Sequence, residues 1–216
     1  MAKIKVQVVV EEELEEVDLG SGSQRPRPIS ISASLTEKEK SELILLFKEF
    51  KDIFAWDYNE MPRLDPKLVV HTLNVDPEAK PMAQPARIFH TKIEGQIVKE
   101  IQKLLAAGFI KPIQHLRWLS NIVPVKKKNR QIRYCVDFRN LNRAYLKDEF
   151  PLPNMDLLID YAARSTMFSF MDGFSGYNQI RMAPRDTEKT AFKTPIGNFY
   201  YTMMPFGLKN AGATYQ

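Results

Sequence analysis

Two pairs of short apolar runs restrict this chain of 216 residues to a fold that contains β-hairpins. Residues 122–126 and 131–136 are separated by the basic turn Lys-Lys-Asn-Arg, and residues 190–194 and 199–203 by Pro-Ile-Gly-Asn. Runs of this length, rich in Val, Ile, Tyr and Phe and interrupted by a short polar turn, are typical of paired strands. The sequence therefore predicts two hairpins in the second half of the chain.

Helices are predicted around these hairpins, so the expected fold class is α+β. Ser34 and Glu37 fit a capping box at the start of one helix, and Thr91 and Glu94 fit a second. In the second helix, apolar residues recur at helical spacing as far as Gly108, which stands where a left-handed C-cap belongs.

Shorter elements are predicted in the last third of the chain. A short helix over residues 154–161 precedes an apolar strand, residues 167–171, which brings Asp172 to its end. The closing residues 208–216 resemble the first two turns of a helix. A helix this short is marginal by itself, so the chain is expected to stop within an element.

The composition divides the chain into three parts. Residues 1–34 combine an acidic run with Gly, Ser and Pro and lack periodicity, which predicts a disordered region or linker. Residues 35–84 are expected to form a connector with one helix and a strand near residues 68–75. Residues 85–216 form the principal domain.

Positive charge is concentrated in one segment. Residues 85–149 contain 14 Lys and Arg but five Asp and Glu, whereas the whole chain carries a net charge of +5. Such a cluster fits a surface that binds a polyanion. A solvated basic face explains it equally well on charge alone.

Several classes of site and location are disfavoured by composition. The single cysteine, Cys135, cannot form an internal disulfide, and the three histidines lack metal-ligand spacing. We therefore expect an intracellular, reducing location without structural zinc. The longest apolar runs fall far short of the ~20 residues that a membrane span needs.

Five segments, in order, resemble the fingers and palm motifs of gypsy-type LTR-retrotransposon reverse transcriptases. They are KKKNRQIRYCVDFRNLN at 126–142, FPLP at 150–153, FSFMDGFSGYNQI at 168–180, KTAFKTPIGNFYY at 189–201 and MPFGLKNAGATYQ at 204–216. The resemblance implies a right-hand polymerase in which residues 85–216 form the fingers and part of an antiparallel palm sheet with flanking helices, incomplete at the C-terminus.

The resemblance also implies a metal and sugar site. Asp172 matches the first palm aspartate and Gly173 a residue whose carbonyl faces the metal, which would be Mg²⁺. Hard cations prefer carboxylate and carbonyl oxygens. Tyr177 matches the ring beneath the incoming sugar, although a packed core tyrosine is the plain alternative.

The remaining site residues follow from the same motifs. Arg133 and either Lys126 or Lys127 match groups that bind the incoming triphosphate, and the choice between the two lysines stays open.

Contacts to the template or primer are implied for Asp137, Arg139, Phe206 and Gly207. Asp137 and Arg139 could instead form an ordinary surface pair. Because many retroviral relatives have glutamine at the Phe206 position, a contact from that side chain to the nucleotide is not carried over.

One expected motif, an adjacent Asp-Asp pair, does not occur in the sequence. Asp160 and Asp186 fall in a predicted helix and a turn and are not expected to substitute. We therefore expect a polymerase fragment that is inactive alone. The implied partners are an RNA or DNA template-primer, a deoxynucleotide and the rest of a Pol polyprotein (protease, RNase H, integrase) in a cytoplasmic particle. Alternatives are a non-catalytic nucleic-acid-binding module and a relic interaction protein.

Overall fold

The structure is a computed structural model that describes residues 13–20, 25–114, 116–126, 132–151, 153–165, 168 and 176–216. It does not describe the side chains of Lys126, Ile132 and Arg133. The chain divides into two compact units, Met1–Glu60 and Met61–Gln216, called unit 1 and unit 2 below. The boundaries predicted at residues 34 and 84 stay a prediction.

Unit 1 contains an antiparallel hairpin and a helix. Strand β1 (Leu14–Asp18) pairs with β2 (Pro28–Ser32). The expectation of a disordered region or linker is therefore wrong for the residues of these strands. The Asp18 carboxylate helps to hold the two strands together where β1 ends and β2 begins, because it accepts hydrogen bonds from the backbone N–H groups of Gly20 and Arg27, both at 2.7 Å.

Helix α1 (Glu37–Glu49) begins two residues later than the sequence predicts. Thr36 is the N-cap, and it forms a capping box with Glu39. The predicted cap, Ser34, belongs to the turn that ends β2, where its hydroxyl lies 2.7 Å from that of Ser32. The motif was recognised correctly, but the chain contains two overlapping copies, and the turn after β2 occupies the first.

Unit 2 is built on a five-stranded sheet rich in antiparallel pairs. Its strands are β4 (Ile110–Pro112), β5 (Ser120–Lys126), β6 (Ile132–Val136), β8 (Phe192–Thr194) and β9 (Gly197–Tyr201), in the order β4-β9-β8-β5-β6. Both predicted hairpins, β5–β6 and β8–β9, are confirmed. The two hairpins meet through β5 and β8, which pair in parallel.

One face of this sheet is covered by helix α2 (Thr91–Ala106). Ile97 and Ile101 of the helix are buried in a cluster with Ile122, Phe192 and Phe199 of the sheet. This packing confirms the apolar spacing that predicted the helix.

The C-terminal end of α2 agrees with the prediction, and its N-terminal cap differs from it. The N-cap is His90, not Thr91, and its Nδ1 accepts a hydrogen bond from the backbone N–H of Lys92. His90 has the extended backbone of a cap residue, and Thr91 is already helical. At the C-terminus, Gly108 adopts φ +70°, as the sequence predicts for a left-handed cap.

A second apolar cluster joins elements that are distant in sequence. It contains Leu73, Trp118, Phe138, Tyr145, Met182 and Met204, among others. Strand β3 (Val70–His71) pairs in parallel with β7 (Arg181–Met182) beside it. The strand predicted near residues 68–75 is therefore real but only two residues long.

The described residues of unit 2 also form three short α-helices. They are α3 (Arg139–Arg143), α4 (Met155–Ala162) and α5 (Ala211–Tyr215). Helix α4 agrees with the prediction, and α5 begins three residues later than predicted. The predicted strand over residues 167–171 lies, except for Phe168, outside the described residues. No helix in the described ranges is long and apolar enough to cross a membrane.

Candidate functional site

Five of the predicted site residues are wholly or partly outside what the structure describes. Asp172, Gly173 and Lys127 are not described, and Lys126 and Arg133 are described by their backbone alone. The backbone register pairs Val125 with Arg133 and Lys126 with Ile132. Of the residues predicted to bind the triphosphate, Arg133 and Lys126 therefore lie at adjacent rungs of the β5–β6 hairpin.

Asp137 and Arg139 form a two-pronged ion pair where β6 leads into α3. The Arg139 Nε donates to Asp137 Oδ1 at 2.8 Å, and an Arg139 terminal nitrogen donates to Oδ2 at 2.7 Å. The backbone N–H of Arg139 also donates to Oδ1, at 3.2 Å. The carboxylate side chain is only 5% exposed, whereas the guanidinium side chain is 74% exposed.

This pair differs from an ordinary surface ion pair in its burial and geometry. Hydrogen bonds from Arg139, partly opposed by burial, lower the pKa of the Asp137 carboxyl below its usual value. Planar guanidinium-carboxylate pairs fix orientation as well as charge. Asp137 therefore holds the Arg139 guanidinium in a defined direction, with the rest of its donors facing solvent.

The loop that contains Gly207 lies against the same corner. Gly207 adopts φ +94°, which favours glycine. A Cβ added there would lie 3.6 Å from both the Phe138 ring and the Val136 carbonyl oxygen. Asn142 of α3 donates a hydrogen bond to the Gly207 carbonyl at 2.8 Å. Two motifs some 65 residues apart in sequence are thus joined directly.

Tyr177 and Phe206 are in ring contact. Their centroids are 4.7 Å apart, and the Tyr177 centroid is 4.9 Å from that of Tyr215. Tyr177 is half-buried, and Phe206 is 42% exposed. A Cβ at Gly176 would overlap the Tyr215 hydroxyl, so the glycine permits this close approach.

The structure thus connects the described members of the predicted site in pairs. Asp137 contacts Arg139, Gly207 lies beside the residues that flank Asp137, and Phe206 contacts Tyr177. Sequence reasoning missed Asn142 and Tyr215, although both lie inside the recognised motifs. A polar Asn142 directly after the apolar Leu141 is a weak signal, since its partner is a backbone carbonyl in another motif.

Within the described ranges, no three His, Cys, Asp or Glu side chains form a group that could hold a metal ion. The buried carboxylates there are already engaged. Asp186 lies 2.5 Å from Lys189 and accepts a hydrogen bond from the Leu73 N–H, while Asp137 binds Arg139.

Comparison with protein families identifies one match. The family model described as reverse transcriptase (RNA-dependent DNA polymerase) matches residues 125–216. The match begins in β5 and includes the Asp137, Tyr177 and Phe206 neighbourhoods described above.

Several curated relatives are Pol polyproteins of transposons. The Pol polyprotein from transposon 412 of Drosophila melanogaster is 30% identical over 192 residues, which cover 82% of this chain and 14% of the polyprotein. That from transposon gypsy of the same organism is 33% identical over 123 residues, covering 54% of this chain and 12% of the polyprotein. The chain thus spans a small part of the length of these relatives.

Solved structures show the same fold. The foamy viral protease-reverse transcriptase in complex with an RNA/DNA hybrid gives a TM-score of 0.63 at 18% identity, over 89% of this chain and 27% of that one. Its form in complex with double-stranded DNA gives 0.65 at 19% identity, over 85% and 32%. The expected α+β fold is therefore confirmed.

Proposed function

We propose that this chain forms the part of a polymerase that binds the template and primer. The proposal starts from its family, because the chain belongs to the reverse transcriptases of gypsy-type retrotransposon Pol polyproteins. The proposed substrate is an RNA or DNA strand paired to a primer. The relatives are larger Pol polyproteins, and the proposal includes protease, RNase H and integrase segments as partners of this chain in a cytoplasmic particle.

The observation that carries the proposal is the corner formed by Asp137, Arg139 and Gly207. A buried carboxylate aims an exposed guanidinium outward, and a glycine with positive φ is packed against the residues on either side of that carboxylate. Guanidinium groups bind phosphates through two parallel hydrogen bonds, and a glycine lets a strand approach the backbone closely. Such a corner suits a sugar-phosphate backbone better than a small apolar ligand.

The nucleotide part of the proposal depends on neighbouring residues. Tyr177 would lie beneath the sugar of the incoming nucleotide, and Arg133 with Lys126 or Lys127 would bind its triphosphate. The half-burial of Tyr177 between Phe206 and Tyr215 supports a ring held in a fixed plane, which is what steric selection against a 2′-hydroxyl requires. Phe206 contacts this ring, so we assign it a role beside Tyr177.

Reverse transcriptases generally use a divalent metal, and we propose Mg²⁺ at Asp172 with the Gly173 carbonyl. Asp172 and Gly173 would hold the ion there, and a bound pair of such ions would supply activation of the primer hydroxyl and charge stabilisation of the leaving pyrophosphate. The sequence contains no Asp-Asp pair. We therefore propose that this 216-residue chain binds nucleic acid and does not itself extend a primer.

The test is a binding and extension assay on the purified chain. Fluorescence anisotropy with a labelled primed template should show binding, and the logarithm of the association constant should fall linearly with the logarithm of the salt concentration. Addition of deoxynucleotides and Mg²⁺ should leave the primer at its original length. Arg139→Ala should weaken binding, whereas Lys99→Ala, which removes one charge from an exposed position on α2, should not.

Two outcomes would contradict the proposal. Absence of binding even at low salt would remove the template-gripping role. Extension of the primer would show that the chain assembles a competent metal site without an Asp-Asp pair.

A further inference from the structure

A third charged residue, Arg87, lies at the Asp137–Arg139 pair. One of its terminal nitrogens is 3.9 Å from Asp137 Oδ2. Arg87 precedes α2 and is 50 residues from Asp137, outside the motifs that predicted the site. Its side chain is 42% exposed, so it contacts the carboxylate and solvent together.

The segment before Arg87 is fixed to the base of the β5–β6 hairpin by backbone hydrogen bonds. The N–H of Leu119 donates to the Met82 carbonyl at 3.1 Å, and the N–H of Gln84 donates to the Leu119 carbonyl at 2.8 Å. Residues 82–84 thus run alongside the chain that enters β5.

Side-chain amides extend this attachment toward Asp137. The Gln84 amide accepts from the Asn121 N–H at 2.9 Å and donates to the Asp137 carbonyl at 3.0 Å. Asn121, itself buried, donates to the Pro85 carbonyl at 2.7 Å. Residues 84 and 85 are therefore held on both sides, and Arg87 follows two residues later.

The charges of the cluster do not cancel. Two guanidinium groups surround one carboxylate, which leaves a net positive charge. The carboxylate directs most of its hydrogen bonding to Arg139, so the more distant Arg87 keeps donors for another anion. Anchoring residues 82–85 reduces the conformational entropy that Arg87 would lose on binding.

We propose that Arg87 and Arg139 together form a two-guanidinium clamp for successive phosphodiesters of a bound strand, with Asp137 as its shared positioning residue. The inference rests on the proposed nucleic-acid binding and adds a residue from the segment before α2 to that surface. A strand satisfies both groups because its phosphates repeat, whereas a single surface anion would engage one.

The test measures binding of a labelled primed template to the full chain across a salt series. Arg87→Ala should weaken binding by about three- to tenfold near 0.1 M salt, and reduce the slope of log K against log salt by about 0.7–0.9, the contribution of one phosphate contact. Arg87→Lys keeps the charge and should restore the slope, with only part of the affinity, because the planar fork is lost.

Lys99→Ala is the matched control and should leave slope and affinity unchanged, since Lys99 is exposed on α2. A purely structural role for Arg87 would lower the melting temperature without changing the slope. If the alanine variant does not fold, Arg87→Gln, which removes the charge and keeps a long polar side chain, should show the same loss of slope.

The outcomes separate this inference from the function on which it rests. If the unmodified chain binds the primed template, and Arg87→Ala binds it with the same salt slope and the same affinity, the clamp is wrong while template binding stands. If the unmodified chain does not bind, both are wrong. Free nucleoside triphosphate is the other source of phosphate groups. If Arg87→Ala loses binding of labelled ATP but not of the strand, the assignment to the strand is overturned.

Discussion

The two units of the chain are stabilised by different forces. In unit 1, Leu19 and Ile31 are the buried apolar residues among those described, and α1 buries none. Unit 1 instead contains ion pairs at its surface, such as Lys40–Glu15 and Arg25–Asp57, both at 2.7 Å. Unit 2 contains two apolar clusters, and Val136 and Tyr201 pack against both.

This difference indicates which contacts carry each unit's stability. Exposed ion pairs contribute little and are screened by salt, whereas burial of apolar side chains is the dominant favourable term in folding. We therefore expect unit 2 to keep its structure under conditions that weaken unit 1. The corner formed by Asp137, Arg139 and Gly207 belongs to unit 2, where Asp137 and Phe138 are buried.

The largest expected effect is loss of a core side chain in unit 2. Ile97 is fully buried between α2 and the sheet, so Ile97→Ala should reduce the free energy of unfolding by about 2–5 kcal/mol. The control is Leu45→Ala in α1, which removes a side chain that is 66% exposed and should change it by about 0.5 kcal/mol or less. Urea unfolding followed by circular dichroism measures both. Equal effects would show that the two units are not stabilised differently.

Much of α2 could be predicted from its sequence, because local spacing decides which face is apolar. Ile97 and Ile101 recur at helical spacing, and Gly108 ends the element by its backbone freedom. The parallel pairing of β5 with β8 could not be predicted in the same way. It joins Ser120 to Phe192 across 72 residues, and nothing local to either strand selects that neighbour.

The next effect concerns pH and arises from a buried histidine in unit 2. His71 is 1% exposed, and its Nδ1 lies 2.8 Å from the Thr214 hydroxyl. That hydroxyl also lies 3.2 Å from the Asn210 carbonyl, and the tautomer of the imidazole ring decides whether Nδ1 donates to Thr214 or accepts from it. The other nitrogen, Nε2, has no partner among the described residues. Burial lowers the pKa of His71 from 6.5 to about 4.

The sign follows from this depressed pKa. Below about pH 6.5 the unfolded chain binds a proton at His71 that the folded chain does not bind until about pH 4. The free energy of unfolding should therefore fall as the pH is lowered from about 6.5 to about 4, by on the order of 3 kcal/mol. His71→Asn lacks the titrating group and should abolish that part of the fall. Urea unfolding at several pH values tests this, and an unchanged slope in the variant would exclude His71 as its cause.

The sequence motifs that contain the candidate site residues could be predicted, but the contacts between these residues could not. Tyr177 and Phe206 each stand in a recognisable segment, but their ring contact depends on how two loops pack. Arg87 carried no local signal beyond the excess of positive charge in residues 85–149, because the amides of Gln84 and Asn121 determine its position. Side-chain networks that cross between distant segments have no signature in one sequence.

The smallest expected effect tests the overlapping capping boxes of unit 1. Thr36 Oγ1 accepts a hydrogen bond from the Glu39 N–H, and the Glu39 carboxylate accepts one from the Thr36 N–H at 2.8 Å. Thr36→Ala should therefore cost about 1 kcal/mol and increase amide exchange in the first turn of α1. Ser34→Ala is the matched control and should leave that turn protected, because Ser34 hydrogen-bonds Ser32 instead. If Ser34→Ala exposed these amides and Thr36→Ala did not, the helix would begin where the sequence alone predicts. Because α1 buries no side chain, so small a change at its cap should be a larger share of the stability of unit 1 than a comparable change would be in unit 2.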